Sequence, residues 1–133
     1  MDSNQNKKIL IVDDEDSFLN VLAERFKLEN FEVFTEKNGK AGLKTALKKH
    51  PDIILLDILM PKMGGLDMLK ELRADVWGEK AVIVLLTNLN ADDEIMKAVV
   101  KYEPAFYLVK TSWKLDDVVK KVKQAVGLID LQS

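Results

Sequence analysis

The run Ile53-Ile54-Leu55-Leu56, which ends at Asp57, constrains the fold of this chain more than any other stretch. Large apolar residues without polar alternation are typical of a strand that is buried on both faces of a parallel sheet. Pro51 precedes the run and Gly64-Gly65 follows it, so the run is bounded as a strand is. Ligands of open α/β sheets bind beyond the carboxyl ends of the central strands, so we predict that Asp57 lies at the mouth of a site.

Strand and helix patterns alternate along the rest of the chain. Short apolar runs predict strands, and apolar residues at i, i+4 spacing predict the helices between them. The predicted strands are residues 8–12, 31–35, 53–56, 81–86 and 105–109, and the predicted helices are residues 15–28, 40–49, 66–73, 91–101 and 114–126. The second helix is predicted to turn Ala46 and Leu47 toward the core. Five β–α units imply one parallel sheet with helices on both faces, a three-layer α/β/α domain.

The composition excludes several classes of protein. The chain has 133 residues and is 47% hydrophobic and 32% charged, which suits one globular domain. Its net charge is -2 and it has no cysteine, which excludes a strongly basic nucleic-acid surface, disulfides and thiolate metal sites. Residues 1–8 are polar and no apolar run approaches the roughly 20 residues of a membrane span, so neither a signal peptide nor membrane insertion is predicted. We therefore expect a cytoplasmic protein.

Polar residues follow the predicted strands at the points where they end, namely Asp13 and Asp14, Asp57, Thr87 and Lys110. Because the carboxyl ends of parallel strands lie along one edge of a sheet, we expect these side chains to converge. Clustered carboxylates repel one another and need a cation, and oxygen ligands of this kind select Mg²⁺ or a similar ion. A lysine ammonium and a threonine hydroxyl can stabilise phosphoryl oxygens, so the set favours phosphoryl transfer to Asp57 as the nucleophile.

These residues, together with Met60-Pro61 and Gly64-Gly65 after Asp57, resemble the receiver domain of two-component response regulators, the CheY-like family. The resemblance covers residues 7–126 and implies a flavodoxin-like fold with strand order 2-1-3-4-5 and five helices. It implies a signalling switch that is not an enzyme, except that it catalyses its own phosphorylation and dephosphorylation. The implied phosphodonor is a sensor histidine kinase or a phosphotransfer protein. The implied output is contact with an unknown downstream protein, without direct contact to nucleic acid.

The resemblance also implies how the phosphorylation site is built. Asp57 is the implied phosphoacceptor. Asp14, Asp57 and the backbone carbonyl of Leu59 are the implied Mg²⁺ ligands, and Asp13 is implied to act largely through water. Leu59 and Leu89 flank the approach of water in the implied site. Because neither leucine can orient a water by hydrogen bonding, we expect a slowly decaying phosphoprotein.

Further residues are implied in switching. Lys110 and Thr87 are implied to contact the phosphoryl group, and Thr87 and Tyr107 to form the conformational switch. The fourth helix, fifth strand and fifth helix are the implied output surface. Proline usually follows the lysine in this family, in a cis bond, whereas Thr111 follows Lys110 here. A non-proline cis bond costs about 3 kcal/mol, so the sequence leaves open whether this bond is trans or a strained cis bond.

Alternative interpretations remain for single residues and for the whole chain. Taken alone, Asp13 or Asp14 could cap a helix, and Lys110 could be a solvated surface lysine. Residues 1–6 are expected to be a flexible leader and residues 127–133 a C-terminal tail or the start of a linker, so the chain could be a receiver cut from a larger regulator. A flavodoxin-like FMN carrier would need a glycine-rich phosphate loop in place of Asp13-Asp14-Glu15-Asp16. A haloacid-dehalogenase phosphatase would need Asp-x-Asp-x-Thr after the first strand, and that motif is absent.

Overall fold

The computed structural model describes residues 6–58, 60, 63–87 and 93–130. Within them, strands and helices alternate in the order β1 (Lys8–Val12), α1 (Asp16–Leu28), β2 (Glu32–Glu36), α2 (Gly39–Lys49), β3 (Ile53–Leu56), α3 (Gly65–Arg73), β4 (Ile83–Thr87), α4 (Asp93–Tyr102), β5 (Phe106–Val109) and α5 (Leu115–Ala125). A 3₁₀ turn, Gly78–Lys80, precedes β4, and another, Lys110–Ser112, follows β5. The helices in this part of the chain are too short or too polar to cross a membrane.

The strands form one parallel sheet in the order β2-β1-β3-β4-β5, which confirms the predicted order. One apolar cluster packs α1 and α5 against one face of the sheet. A second cluster packs α2, α3 and α4 against the other face. The three layers α/β/α are therefore as predicted, and β3 is the central strand.

The central strand is buried on both faces, which explains its unbroken apolar run. Ile53 and Leu55 belong to the cluster under α1 and α5, whereas Ile54 and Leu56 belong to the cluster on the opposite face. β1 pairs with β3 from Ile9↔Ile53 to Val12↔Leu56, so the two strands end level with each other. The residues that follow these strands therefore start from the same edge of the sheet.

β1 and β3 have the predicted bounds, and the described bounds of the other elements differ from the predicted ones by at most two residues. β4 begins at Ile83 rather than at residue 81, and the N–H of Ala81 instead closes the preceding 3₁₀ turn on the Gly78 carbonyl, at 3.2 Å. The predicted start of the fourth helix, residues 91–92, lies outside the described residues. The Lys110–Thr111 bond, whose isomer the sequence left open, is trans.

One predicted core position in α2 is wrong. Ala46 is buried, but the side chain of Leu47 is 37% exposed. The contact face of α2 is centred instead on Gly42, where an added Cβ would lie only 2.9 Å from Val12 Cγ2 and 3.0 Å from Met68 Sδ. The buried residues of α2 are Gly39, Gly42 and Ala46, and Leu47 lies at the margin of this face.

At the edge of the sheet opposite Asp57, the guanidinium group of Arg73 joins α3 to the segments around β4 and α4. It donates to the carbonyls of Tyr102 and Ala81 at 2.8 Å and to that of Gly78 at 2.9 Å. Longer bonds reach the carbonyls of Glu79, at 3.3 Å, and Glu103, at 3.1 Å. Carbonyls at the end of a helix lack intrahelical partners, so Arg73 supplies hydrogen bonds that the backbone cannot.

We expect Arg73→Met to lower the free energy of unfolding by about 2 to 3 kcal/mol, because several partly buried carbonyls lose a charged donor. Arg73→Lys should recover less than half of that loss, since an ammonium group has three donors and no planar fork. The measurement is urea denaturation, with Lys70→Met on the exposed side of α3 as the control. Equal effects at residues 70 and 73 would show that the hydrogen bonds of Arg73 contribute nothing specific.

Candidate functional site

Two buried carboxylates stand side by side where β1 and β3 end. Asp13 follows Val12 and Asp57 follows Leu56, the last residue pair of the β1–β3 register. The N–H of Asp57 donates to the Val12 carbonyl at 3.0 Å, which carries the pairing one residue beyond β3. The two side chains are only 4% and 6% exposed. The strand pairing therefore holds both groups at the same edge of the sheet, as predicted.

Asp14 completes an acidic cluster with these two residues. One carboxylate oxygen from each of Asp13, Asp14 and Asp57 lies within 4.8 Å of the others. Asp14 is exposed, in contrast to the other two, so the cluster is open to solvent on its side. A set of oxygen ligands at this separation, with one open side, could hold a hydrated divalent cation.

The side chain of Lys110 enters the same cluster from the end of β5. Its Nζ lies 2.6 Å from Asp13 Oδ2, 2.7 Å from Glu15 Oε1 and 3.4 Å from Asp57 Oδ2. The Phe18 ring covers it, with the centroid 4.3 Å from Nζ, and the lysine side chain is only 4% exposed. Lys110 is therefore a buried cation among carboxylates, and the interpretation as a solvated surface lysine is wrong.

Burial and ion pairing both act on the charges of this cluster. Burial raises the pKa of the Asp13 carboxyl above its ordinary value, although hydrogen bonds from the Lys110 ammonium and the Glu15 N–H oppose the change. Burial alone would lower the pKa of Lys110, but hydrogen bonds to Asp13 and Glu15, with the charges of Asp57 and Asp13, outweigh it and raise the pKa. Lys110 is therefore held as a cation.

Glu15 is a site residue that sequence reasoning did not assign. The apolar pattern places it only at the start of the first helix, and in the structure it is the N-cap residue of α1. Its N–H donates to Asp13 Oδ1 at 2.9 Å, and this bond turns the chain so that the Glu15 carboxylate reaches Lys110. Its position directly after two aspartates was the available signal.

The remaining predicted residues are only partly described. Tyr107 lies on β5, half-buried against the cluster on the α2–α4 side of the sheet, and burial raises the pKa of its hydroxyl. Thr87 ends β4 and pairs with Val109, but its side chain lies outside the described parts. Leu59 and Leu89 also lie outside the described residues. The Leu59 carbonyl as a metal ligand, the switch at Thr87 and the slow decay therefore stay predictions.

Gly65 sets the distance between α3 and the backbone that follows Asp57. An added Cβ at Gly65 would lie 2.1 Å from the Asp57 carbonyl oxygen and 2.7 Å from Ile58 Cα. The Gly65 N–H donates to the Ile58 carbonyl at 2.8 Å. At Gly64, by contrast, an added Cβ would meet the Ile58 carbonyl oxygen at 3.4 Å, an ordinary contact. Of these two glycines, only Gly65 is therefore required by packing.

Comparison with known proteins identifies relatives of this chain. Residues 9–123 match the response regulator receiver domain family. Regulatory protein AtoC of Escherichia coli (strain K12) is 35% identical over 121 residues, which cover 91% of this chain and 25% of AtoC. The alkaline phosphatase synthesis transcriptional regulatory protein PhoP of Bacillus subtilis (strain 168) is 36% identical over 92 residues, 69% of this chain and 37% of PhoP. The chain thus spans well under half the length of these relatives.

Solved structures share the fold. The chemotaxis response regulator CheY4 of Vibrio cholerae superposes with a TM-score of 0.82 at 25% identity, over 91% of this chain and 99% of CheY4. A CheY-like response regulator receiver domain protein of Methanospirillum hungatei JF-1 superposes with a TM-score of 0.85 at 22% identity, over 97% of this chain and all of that chain. The second likeness supports the fold alone.

The contrast between the two glycines gives a matched test of the site's packing. We expect Gly65→Ala to lower the free energy of unfolding by about 1 to 3 kcal/mol, the usual cost of overpacking, because either α3 or the Asp57 backbone must move. Gly64→Ala should change it by less than about 0.5 kcal/mol, since that position has ordinary contacts and an extended backbone. Urea denaturation measures both. If the two variants were equally stable, the close packing of α3 on Asp57 would be contradicted.

Proposed function

The chain belongs to the response regulator receiver domain family, and we propose that it is a signalling switch controlled by phosphorylation of Asp57. The observation that carries this proposal is the environment of Asp57. Its carboxylate ends the central strand, is 6% exposed, lies 3.4 Å from a buried ammonium group and shares a cluster with two further carboxylates. A nucleophile, a charge to stabilise phosphoryl oxygens and ligands for a cation are the parts that phosphoryl transfer to a carboxylate needs.

The proposed donor is a phosphohistidine on a sensor histidine kinase or a phosphotransfer protein. A carboxylate oxygen of Asp57 attacks the phosphorus, and the bond between phosphorus and the histidine nitrogen breaks. The electron pair of that bond stays on the imidazole, which takes up a proton, and Asp57 becomes an aspartyl phosphate. Lys110 then neutralises charge on the phosphoryl oxygens. The protein catalyses this transfer and the later hydrolysis on itself, and we propose no other substrate.

The acidic cluster fits Mg²⁺ as the cation of this reaction. Asp14, Asp57 and the backbone carbonyl of Leu59 would hold it, and Asp13 would act largely through bound water. A set of few protein oxygens, one of them exposed, suits an ion that keeps several of its waters. When bound, Mg²⁺ offsets carboxylate repulsion and stabilises charge on the transferring phosphoryl group.

The proposed output is a change of the surface formed by α4, β5 and α5. Thr87 and Tyr107 would report phosphorylation to it, as the switch pair of β4 and β5. On α4, Met96 and Val100 are one turn apart and are 40% and 70% exposed, so this surface offers apolar contacts to a partner. The partner that binds this surface would be a downstream protein in the cytoplasm or, since this chain spans only part of its relatives, an attached output domain.

Phosphorylation of Asp57 can be tested by intact mass. With Mg²⁺ and acetyl phosphate, the unsubstituted protein should gain one phosphoryl group, because Asp57 is the carboxylate at the end of the central strand. Asp57→Asn should gain none at that position, while Asp67→Asn, at an exposed position of α3, should be labelled like the unsubstituted protein. If Asp57→Asn were labelled to the same extent, the assignment would be wrong.

The role of Asp14 can be separated from helix capping. Asp14→Asn removes a proposed ligand, so Mg²⁺ affinity and phosphorylation rate should each fall by at least about tenfold. Substituting a residue that only hydrogen-bonds to a metal ligand already has an effect of about that size. In chelator the same variant should be slightly more stable, because one source of carboxylate repulsion is gone. Glu71→Gln, at an exposed position of α3, is the charge-matched control. A variant that loses stability in chelator would indicate that Asp14 acts as a cap.

A further inference from the structure

The partners of Lys110 differ in how easily they can be released. An ammonium group has three N–H donors, and here the two short contacts of Nζ go to Asp13, at 2.6 Å, and Glu15, at 2.7 Å. The contact with Asp57 is longer, at 3.4 Å. The ammonium therefore lies closer to Asp13 and Glu15 than to the proposed phosphoacceptor, with which it makes only a long hydrogen bond.

The two close partners of Lys110, Asp13 and Glu15, differ in how deeply they are buried. The Asp13 side chain is 4% exposed, so releasing it would leave a buried carboxylate without its cation, which is costly. The Glu15 side chain is 49% exposed, so water can hydrate its carboxylate as soon as it leaves Lys110. Glu15 also lies at the N-cap of α1, where a helix dipole favours a negative charge. Of the two close contacts, the one with Glu15 is thus the cheaper to break.

We propose that Glu15 is a positioning residue, which holds Lys110 back from Asp57 and gives it up when a phosphoryl group arrives. This inference rests on the proposed phosphorylation of Asp57. A phosphoryl oxygen on Asp57 competes with the Glu15 carboxylate for one N–H of Lys110, so each weakens the binding of the other. Phe18 covers the lysine throughout and keeps Nζ inside the cluster while it exchanges partners.

The consequence is a restraint that acts against anion binding. Removing the contact between Glu15 and Lys110 should let the ammonium turn toward Asp57 without first breaking that contact, while the contact with Asp13 remains. The binding of a phosphoryl mimic should then tighten by about threefold to tenfold, as expected for losing one competing charged hydrogen bond with a half-exposed partner. The effect belongs to the contact itself, not only to the negative charge of Glu15.

The experiment measures the dissociation constant of beryllofluoride with Mg²⁺ by NMR titration of the full chain. Glu15→Gln removes the charge and keeps the shape, whereas Glu15→Asp keeps the charge on a side chain one methylene shorter. Glu24→Gln is the control, because it removes the same charge from an exposed position on the same helix. Both substitutions of Glu15 should tighten binding, and Glu24→Gln should leave it within about twofold of the unsubstituted protein.

Two results would overturn the inference. One is equal binding by the Glu15 variants and the unsubstituted protein. The other is tighter binding by Glu15→Gln alone, with Glu15→Asp unchanged, which would assign the effect to charge and not to contact. If the unsubstituted protein bound no beryllofluoride, the proposed function itself would fail. The restraint is then judged from the side-chain ammonium signal of Lys110 without ligand, which should shift in both Glu15 variants and stay in place in Glu24→Gln.

Discussion

Asp13 and Asp57 are buried carboxylates on adjacent strands, and the ammonium group of Lys110 is the cation that makes their burial tolerable. A lone buried carboxylate costs several kcal/mol, and two of them side by side repel each other as well. Lys110, at 2.6 and 3.4 Å, offsets part of both costs, although burial still raises the pKa of Asp13, and its partners keep Lys110 itself charged. The site is thus an acidic cluster in which one cation contacts several carboxylates, and any ligand that enters changes these contacts.

The backbone supplies the rigidity on which this balance depends. β1 and β3 end level with each other, and the hydrogen bond from Asp57 to Val12 extends their pairing into the site. Gly65 lets α3 pack directly on the next peptide. At the opposite edge of the sheet, Arg73 fixes the end of α4 to α3 and to the segment before β4. The backbone around Asp57 is therefore closely packed against β1 and α3. The C-terminal end of α4 is held by its hydrogen bond with Arg73.

The departure from the family pattern after Lys110 changes the local backbone without removing the site. The Lys110–Thr111 bond is trans, and residues 110–112 form a 3₁₀ turn that leads into Trp113. Trp113 packs on the cluster under α1 and α5, and the Lys121 ammonium lies 5.7 Å from its ring centroid.

The family match and the acidic residues after β1 also disfavour the alternative of a flavin carrier, because the flavin phosphate would face carboxylates there.

The sequence by itself determined the order of the elements, the parallel sheet and the meeting of Asp13, Asp14, Asp57 and Lys110 at its edge. These follow from local signals, since apolar runs mark buried strands and each parallel strand delivers its next residue to the same edge. Only the tertiary structure decided that Leu47 is exposed, that Glu15 contacts Lys110 and that Arg73 clamps carbonyls from several segments. Those outcomes depend on helix rotation and on distances between residues far apart in the chain, which a periodic pattern does not encode.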